Sequence, residues 1–406
     1  MVSEHASPLA TLGGVDAGGQ NVHVAALATA LAARGHDVAV YTRRDGWEQP
    51  DRVPLCSGVE VVHVPAGPPA PLPKDELLPF MPAFGRWLAK EWSGPERPDV
   101  VHAHFWMSGL ASVQAGEDVG VPVVQTFHAL GVVKRRHQGT SDPSPRTRVR
   151  AERRLAAQVE MVIATCSDEV RELVRQGAAV ERIQVIPCGV DVEHFTPNGP
   201  ALLPPAGGRL LCVSRLVERK GVDTVVRALP GLPGAELVIA GGPPVEELPS
   251  DAEAARLTAL AEELGVGDRV RLIGRVEHDD MPALLRCADV VVSTPWYEPF
   301  GIVPLEAMAC GRPVVGTAVG GLLDTVTPGV TGLLVPPRDP GAVAAAVRTL
   351  LADTDLRARF GAAASRRAVE RYDWSRIAAD TEAAYETVIK EPRLALAPRL
   401  ASAEGM

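Results

Sequence analysis

Short apolar strands alternate with helices along almost the whole chain, and this alternation constrains its fold more than any other feature. In the first half, strands are predicted at residues 38–42, 59–64, 99–103, 121–127, 161–165 and 183–187. In the second half they are predicted at residues 209–213, 236–240, 270–274, 289–293 and 313–316. Intervening stretches such as 20–34 repeat apolar residues at helical spacing. Strands that alternate with helices form parallel sheets of βαβ units, whose ligands lie at the carboxyl ends of the strands.

The chain is long enough for two domains, and their boundary is visible. It has 406 residues, and the Pro/Gly-rich stretch 195–208 without periodicity is typical of a linker. We therefore predict an α/β fold with a domain at 1–200, a second at 201–371, a last helix at 372–390 and a disordered tail at 391–406. The first strand is only a stub at 1–3, which means either a short strand or lost residues.

Composition and charge exclude several classes of protein. A net charge of −9 argues against a nucleic-acid binder, which usually has a basic surplus. The six cysteines lack the spacing of a metal site, so we expect buried thiols in a reducing cytoplasm. No apolar run approaches the roughly 20 residues of a membrane helix, and no secretion signal is visible. These features predict a cytoplasmic protein without a bound metal.

The segment Glu298-Pro-Phe-Gly-Ile-Val-Pro-Leu-Glu306 carries the strongest chemical signal. It follows the predicted strand 289–293 and leads into a helix predicted at 304–309. Gly301 lets the backbone approach a ligand closely, and free N–H groups at a helix start suit phosphate or sugar oxygens. Two carboxylates can each accept two hydroxyl hydrogen bonds. Sugars and riboses carry such hydroxyl groups, so this segment predicts a site for a sugar or a ribose.

Two further loops are predicted to face the same region. Arg215 and Lys220 follow the strand 209–213, where an Arg fork and a Lys point charge would neutralise a diphosphate. Gly13, Gly14, Gly18 and Gly19 precede the first helix, whose N-terminus favours anions. This loop is not GxGxxG, so a dinucleotide fingerprint is not supported. A solvated basic turn and a structural glycine turn are the alternatives.

Histidines follow two neighbouring strands of the first half. His102 and His104 stand at the end of one strand, and His128 follows the next. A lone histidine is usually structural, and we interpret His102 in this way. His128 lies at a carboxyl end and is the better candidate for ligand contact, with His104 the weaker one.

The segment 298–306 resembles the E-x7-E motif of family-4 glycosyltransferases of the GT-B fold, and the resemblance extends over roughly residues 2–390. It implies two Rossmann-like domains that face a central cleft, with the last helix crossing back to the first domain. In that family the first Glu holds the donor sugar and the second the ribose. The implied catalytic residues are His128, Arg215, Lys220 and Glu298. The implied donor contacts are Gly18, Gly19, Arg215, Lys220, Arg275, Glu298, Phe300, Gly301, Ile302, Val303 and Glu306. The implied acceptor contacts are Asn21, Lys74, Phe105, His128 and Arg148.

The first half is most similar to the branch that holds sucrose-phosphate synthases and D-inositol-3-phosphate glycosyltransferases. In the latter type a Lys, a Tyr, a Thr and an Arg grip the acceptor phosphate. Lys74 and Arg148 fall at the matching places, but Phe105 and Ala129 replace the two hydroxyl residues. This puts the same phosphorylated acceptor in doubt.

The basic residues around Arg148 stand out in an acidic protein. They are Lys134, Arg135, Arg136, Arg146, Arg148, Arg150, Arg153 and Arg154. They could meet an acceptor phosphate or an anionic membrane face, or form a solvated helix face. The sequence does not predict membrane association, although these residues are compatible with it, and it does not indicate an oligomeric state.

The resemblance implies transfer of a hexosyl group, with retention of configuration, from a nucleotide-diphosphate sugar to a small acceptor. No carboxylate stands as a glycosidase-like nucleophile, no DxD motif stands near a strand end to call for a metal, and a UDP-sugar is the favoured donor. The alternatives are a nucleotide-sugar epimerase, a phosphorylase-like enzyme and a non-catalytic sugar-nucleotide binder. An NAD-dependent dehydrogenase is disfavoured because the dinucleotide fingerprint is absent.

Overall fold

The computed structural model describes residues 1–10, 18–201 and 208–390. The first half contains strands β1 Val38–Arg43, β2 Arg52–Cys56, β3 Val59–Val64, β4 Val101–His104, β5 Val123–Thr126, β6 Met161–Ala164 and β7 Ile183–Val185. The second contains β8 Arg209–Val213, β9 Glu236–Ala240, β10 Val270–Gly274, β11 Val290–Ser293, β12 Val314–Thr317 and β13 Gly332–Val335.

Helices connect these strands. In the first half they are α1 Gly19–Ala32, α2 Met81–Trp92, α3 Trp106–Val119, α4 Gly131–Gln138, α5 Arg148–Gln158 and α6 Ser167–Arg175. In the second half they are α7 Val222–Ala228, α8 Ala252–Glu263, α9 Met281–Arg286, α10 Ile302–Ala309, α11 Leu322–Thr325, α12 Pro340–Ala352, α13 Thr354–Tyr372 and α14 Trp374–Lys390. None of these helices is long and apolar enough to cross a membrane.

The first domain is built on strands that Val2 joins into one sheet. β1, β3 and β2 are neighbours in that order, as are β4, β5, β6 and β7. Val2 lies between the two groups, bridged in parallel to Tyr41 of β1 and Ala103 of β4. The predicted stub is therefore a single bridging residue at the centre of the sheet. Its position places the carboxyl ends of β4 and β5 beside the residues that follow Val2.

The second domain has one parallel sheet in the order β10-β9-β8-β11-β12-β13. β8, β9, β11 and β12 are buried along most of their length, as expected for a sheet with helices on both faces. Its strands are rich in Val, Leu and Ile, which fill the core in place of the scarce aromatics. β8 and β11 lie side by side at the centre, so the loops that follow them meet.

Helix α14 returns to the first domain, where it packs against α1. Leu27 and Leu31 of α1 share an apolar cluster with Ile377 and Val388 of α14. Glu382 of α14 also contacts Nε2 of His36 at 2.9 Å. The last helix thus ties the end of the second half to the first domain. The tail predicted for residues 391–406 lies outside the described residues.

The α/β fold class is confirmed, and the differences from the sequence prediction are local. β2 and β13 were not predicted. β2 is a largely half-buried edge strand that pairs antiparallel with β3 and contains Pro54, and both features blur the apolar pattern of a buried strand. α10 begins at Ile302, two residues before the predicted start.

Candidate active site between the two domains

The loops after three neighbouring strands of the second domain are held together by hydrogen bonds. The loop after β8 meets the loop after β11, where the Trp296 N–H donates to the Arg219 carbonyl at 2.9 Å. The Thr294 hydroxyl donates to the Gly221 carbonyl at 2.7 Å. On the other side, the Gly321 N–H after β12 donates to the Glu298 carbonyl at 2.7 Å. The loop that carries Glu298 is therefore fixed from both sides.

Gly221 makes the contact between the first two loops possible. Its φ is +66°, in the left-handed region, and a Cβ there would lie 2.1 Å from the Thr294 carbonyl oxygen. Only glycine fits this conformation and this distance without displacing one loop. The residue after Lys220 thus sets how closely the basic turn approaches the Glu298 loop.

Glu298 and Lys220 form an ion pair at the carboxyl edge of the second sheet. The Lys220 ammonium lies 2.5 Å from Glu298 Oε2, and both side chains are mostly buried. Burial raises the pKa of Glu298, but the Lys220 charge and hydrogen bond outweigh it, so the net pKa of this carboxyl is lowered. Glu298 is therefore ionised at neutral pH. The structure brings together two predicted residues that are far apart in sequence.

Glu306 lies one turn into α10 in a very different environment. Burial raises the pKa of its carboxyl to about 7, and no basic residue offsets this effect. Among the described residues, no side-chain or backbone donor forms a hydrogen bond with this carboxylate. Glu306 is half-buried, and a partly accessible carboxylate without a donor in the protein is a site where ligand hydroxyls can bind.

The start of α10 presents backbone N–H groups beside these carboxylates. Gly301 precedes the helix with a φ of +77°, and the N–H groups of Ile302 and Val303 lie in the first turn, where no intrahelical acceptor is available. A Cβ on Gly19 of the first domain would lie 3.1 Å from Cδ1 of Ile302. The two predicted anion-binding helix starts, those of α1 and α10, therefore face each other across the domain interface.

The start of α1 is fixed by Asn21. Its Oδ1 accepts from the Gly18 N–H at 3.0 Å, and its Nδ2 donates to the Ser7 carbonyl at 2.9 Å. The side chain is buried. Asn21 thus holds the start of α1 against the segment that contains Ser7, and the predicted residues 13–17 of the glycine loop lie outside the described residues.

His128 lies at the end of β5, directly opposite the second domain. Its φ is +62°, a strained conformation for a residue with a side chain. Its ring centroid is 5.1 Å from that of Phe300, so the loop of Glu298 covers it. Burial and the neighbouring histidines lower its pKa well below the ordinary value. The ring is therefore neutral at pH 7.

Phe105 and Arg148 meet next to His128. The Arg148 guanidinium lies 4.9 Å from the centroid of the Phe105 ring, and its Nε donates to Glu152 Oε1 at 2.7 Å. Both members of this ion pair are fully buried. Arg148 thus supports the loop after β5 in the structure. Lys74 lies in a short 3₁₀ turn before α2 and is half-buried.

The remaining predicted contacts lie at the ends of neighbouring strands. Arg215 is exposed in the loop after β8, and Arg275 directly follows β10. Both residues have interaction partners in the protein. The strands β8 and β10 that precede them lie on the β9 side of β11, the strand that leads into the Glu298 loop.

The basic stretch around Arg148 divides into two groups. Lys134 contacts Asp142 at 2.9 Å, and Arg136 pairs with both oxygens of Glu172 at 2.8 Å. The other five basic residues are exposed to solvent and form no ion pair among the described residues: Arg135, Arg146, Arg150, Arg153 and Arg154. The charges of Lys134, Arg136 and Arg148 are therefore already neutralised within the protein.

Sequence reasoning missed the residues that bridge the domains. Gln138 of α4 donates to the Tyr297 hydroxyl at 2.6 Å. The Asp324 carboxylate accepts from the Ser167 N–H at 2.5 Å and from its hydroxyl at 2.7 Å. None of the four stands in a motif. The one available signal in the sequence was the position of Tyr297 directly before the motif residue Glu298.

Other features of the described part of the chain do not form part of this cleft. A cavity of about 810 Å³ lies at the amino ends of β1 and β4, where Asp37, Val100 and Tyr385 line it. It contains none of the predicted site residues. Within the described ranges, no three His, Cys, Asp or Glu side chains are arranged to hold a metal ion.

Two Rossmann-like domains with carboxylates, a lysine and two helix starts at their interface define the GT-B class of enzymes. The second half matches the model of "Glycosyl transferases group 1" over residues 202–367. The first half matches that of "Glycosyltransferase Family 4" over residues 17–194. The chain belongs to this family of glycosyltransferases, and the resemblance read from the motifs is confirmed.

Curated relatives cover nearly the whole chain. The D-inositol 3-phosphate glycosyltransferase of Xylanimonas cellulosilytica is 40% identical over 396 residues, which span 93% of this chain and 94% of the relative. The protein of the same name from Acidothermus cellulolyticus is 39% identical, over 100% of this chain and 93% of the relative.

Solved structures share the same architecture. Sucrose-phosphate synthase from Thermosynechococcus elongatus superposes with a TM-score of 0.86 at 32% identity, covering 96% of this chain and 98% of its own. Anabaena HepE in complex with UDP-glucose superposes with a TM-score of 0.72 at 22% identity, covering 95% and 98%. The second likeness supports the fold alone.

Proposed function

We propose that this glycosyltransferase moves a hexosyl group from a nucleotide-diphosphate sugar to a hydroxyl of a small acceptor, with retention of the anomeric configuration. A UDP-sugar is the favoured donor, and the reaction needs no metal ion. The proposal rests chiefly on one observation, the buried ion pair of Glu298 and Lys220 at the domain interface beside the unpaired carboxylate of Glu306.

The two carboxylates suit two parts of one ligand. Glu298 is ionised and held by Lys220, so its free lone pairs can accept from sugar hydroxyls in a fixed geometry. Glu306 has no donor among the described residues and can accept from the ribose hydroxyls. The start of α10 lies between them in sequence, where the N–H groups of Ile302 and Val303 can meet phosphate oxygens. Sugar, diphosphate and ribose would then lie in sequence along one loop and one helix.

The chemistry we infer is charge stabilisation and positioning. As the bond from the sugar to the diphosphate breaks, negative charge develops on the leaving phosphate. Arg215, Lys220 and the glycine loop of the first domain would stabilise that charge in place of a metal. The leaving phosphate would accept the proton of the attacking acceptor hydroxyl on the same face of the sugar. Closure of the domains would exclude water, which otherwise hydrolyses the donor.

The acceptor would bind against the first domain, near His128, Asn21 and Phe105. The curated relatives are named for D-inositol 3-phosphate, and a cyclitol phosphate is therefore the first acceptor to assay. Phe105 has no side-chain hydrogen-bond donor, and Arg148 is already paired within the protein. These two positions therefore offer fewer hydrogen-bond donors to an acceptor phosphate than the similarity to the curated relatives would suggest. Unphosphorylated cyclitols and sugar phosphates belong in the same assay.

The first experiment is thermal unfolding with an excess of UDP, GDP, ADP or NAD. A ligand at about 100 times its dissociation constant adds roughly 2.7 kcal/mol to the stability of the folded state. A shift with UDP alone supports the proposed donor, and a shift with GDP alone would transfer the proposal to a GDP-sugar. A protein stabilised by none of them, or by NAD, would contradict a nucleotide-sugar site.

Site variants then separate the two carboxylates. Glu306→Ala should weaken UDP binding, and Glu298→Ala should reduce sugar turnover far more than it weakens UDP. Proton NMR of the product gives its anomeric configuration, and parallel assays with EDTA and with magnesium test the metal. Wild-type behaviour of both variants would contradict the site.

Analysis of the reaction products distinguishes the alternative functions from glycosyl transfer. An epimerase would release an isomerised donor without an acceptor, and a phosphorylase would release sugar phosphate. A non-catalytic binder would turn over no donor at all. No observation in the structure favours one of these over transfer.

A further inference from the structure

His104 and His128 form a direct hydrogen bond at the end of the first sheet. His104 is the last residue of β4, and its strand runs beside β5, which His128 follows. Nδ1 of His104 lies 2.9 Å from Nε2 of His128, and the two rings are stacked with centroids 5.1 Å apart. Both side chains are buried. The bond links a residue inside the first domain to one at the interface.

The pair shares its protons in only two ways. Both rings are neutral at pH 7, because burial and the neighbouring histidines lower both pKa values well below the ordinary value. Each ring therefore has one N–H. Either His104 donates from Nδ1 and His128 keeps its proton on Nδ1, or His128 donates from Nε2 and His104 keeps its proton on Nε2. Among the described residues, neither His104 Nε2 nor His128 Nδ1 has a hydrogen-bond partner.

The surroundings favour the first arrangement. The ring of His104 lies 4.1 Å from that of His102, whose nitrogens are already engaged by the Tyr385 hydroxyl and the Thr126 hydroxyl. An N–H on His104 Nε2 would therefore have no acceptor among the described residues of the first domain. An N–H on His128 Nδ1 also has no acceptor in the described part of the chain, but His128 is the one of the two that a bound ligand can reach, and buried N–H groups rarely stay unpaired. His128 instead lies at the domain interface, against Phe300 of the Glu298 loop.

We propose that His104 is a positioning residue that donates from Nδ1 to His128 Nε2 and so holds the proton of His128 on Nδ1. His128 then offers a fixed N–H to a hydroxyl oxygen of the sugar bound in the cleft. This inference rests on the proposed function for the identity of the ligand. The tautomer is tested separately from that function, because it is observed in the protein without ligand.

The test uses two variants of the full chain that differ in whether residue 104 can donate a hydrogen bond to His128. In His104→Asn, the amide nitrogen occupies nearly the place of the imidazole Nδ1 and keeps a donor. His104→Leu fills the site without a donor. Long-range ¹H–¹⁵N correlation spectra of histidine-labelled protein report the tautomer, and a His128→Asn sample assigns the His128 signals.

We expect the Nδ1–H tautomer of His128 in the wild type and in His104→Asn, and its loss in His104→Leu. With a nucleotide sugar, kcat should fall roughly 10-fold or more in His104→Leu and stay near wild type in His104→Asn, while free UDP binds all three equally.

Three results would overturn the inference. They are an Nε2–H tautomer of His128 in the wild type, an unchanged tautomer in His104→Leu, and equal loss of activity in both variants. If His104→Leu does not fold, His104→Gln replaces it, because its amide reaches the position of Nε2 rather than Nδ1. If no donor is turned over, the proposed function fails and the spectra still decide the tautomer.

Discussion

At the scale of single residues, the two carboxylates of the cleft show how position sets charge. Glu298 lies against Lys220, which outweighs the cost of burial and lowers its pKa. Glu306 has no such partner, and burial raises its pKa to about 7. The protein thus keeps one carboxylate ionised and holds the other near its titration point at neutral pH.

This difference predicts opposite effects on stability. The folded pKa of Glu306 exceeds its ordinary value of 4.5, so the folded state binds more protons than the unfolded state between those pH values. The free energy of unfolding therefore falls as the pH rises through this window. Glu306→Gln removes that penalty and should raise Tm at pH 8 but not at pH 5, as measured by thermal unfolding without ligand.

Glu298→Gln is the matched control. The pKa of Glu298 is lowered, so its ionised form stabilises the fold at every pH above its ordinary range. This variant should therefore lower Tm throughout pH 6 to 8. Parallel pH trends for the two variants would contradict the assigned environments.

At the scale of elements, the carboxyl ends of β8, β11 and β12 act as one unit because their loops are hydrogen-bonded to one another. Gly221 is the tightest point of this unit. Gly265, after α8, has the same φ of +66°, but a Cβ there would have open space around it. Substitutions at these two glycines therefore distinguish the cost of backbone strain from the cost of a steric clash.

We expect Gly265→Ala to lower the free energy of unfolding by about 1–2 kcal/mol, the cost of the left-handed conformation. Gly221→Ala should cost more, because its Cβ would also displace Thr294, and it should weaken UDP binding. Urea unfolding and a nucleotide titration measure the two effects. Equal stability of the two variants would show that the loops can separate freely.

Asp324 joins the domains at the start of α6. Its carboxylate accepts from the Ser167 N–H and hydroxyl, as an N-cap residue does, although it belongs to the other domain. Asp251 has the same role within the second domain, where its Oδ1 accepts from the Ala254 N–H at 2.8 Å.

Asp324→Ala and Asp251→Ala should each lower stability by about 0.5–2 kcal/mol. Only Asp324→Ala should also weaken UDP binding, because it loosens the closed arrangement of the domains. Calorimetric unfolding and isothermal titration check both statements. An equal loss of UDP affinity in both variants would assign the effect to general destabilisation.

At the scale of the whole molecule, α14 makes the first domain dependent on the end of the chain. It covers Leu27 and Leu31 of α1, and its Tyr385 hydroxyl lies 2.7 Å from Nδ1 of His102. A chain that ends at residue 373 should therefore unfold its first domain at a lower temperature than a chain that ends at 390.

The second domain does not contain this interface, so its transition in the calorimeter should move less. The chain that ends at 390 keeps α14 and controls for the loss of residues 391–406. If both truncated chains unfolded alike, α14 would contribute nothing to the first domain.

Much of the architecture could be predicted because it depends on local patterns. The predicted bounds of β3, β8, β9 and β10 agree with the structure residue for residue. For β8 and β9 the reason is that buried parallel strands read as continuous apolar runs. β2 was missed because an edge strand with a proline lacks such a run. The motif at 298–306 identified the family for a similar reason, since its residues act within one loop and one helix.

The sequence by itself determined the fold class, the family and the candidate residues, because apolar periodicity and short motifs are written in neighbouring positions. Only the tertiary structure decided which charges meet. Lys220 and Glu298 are 78 residues apart, and the order of strands in the sheet brings them together. Likewise, the raised pKa of Glu306 and the bond between His104 and His128 arise from burial and from the packing of two strands, which no local pattern encodes.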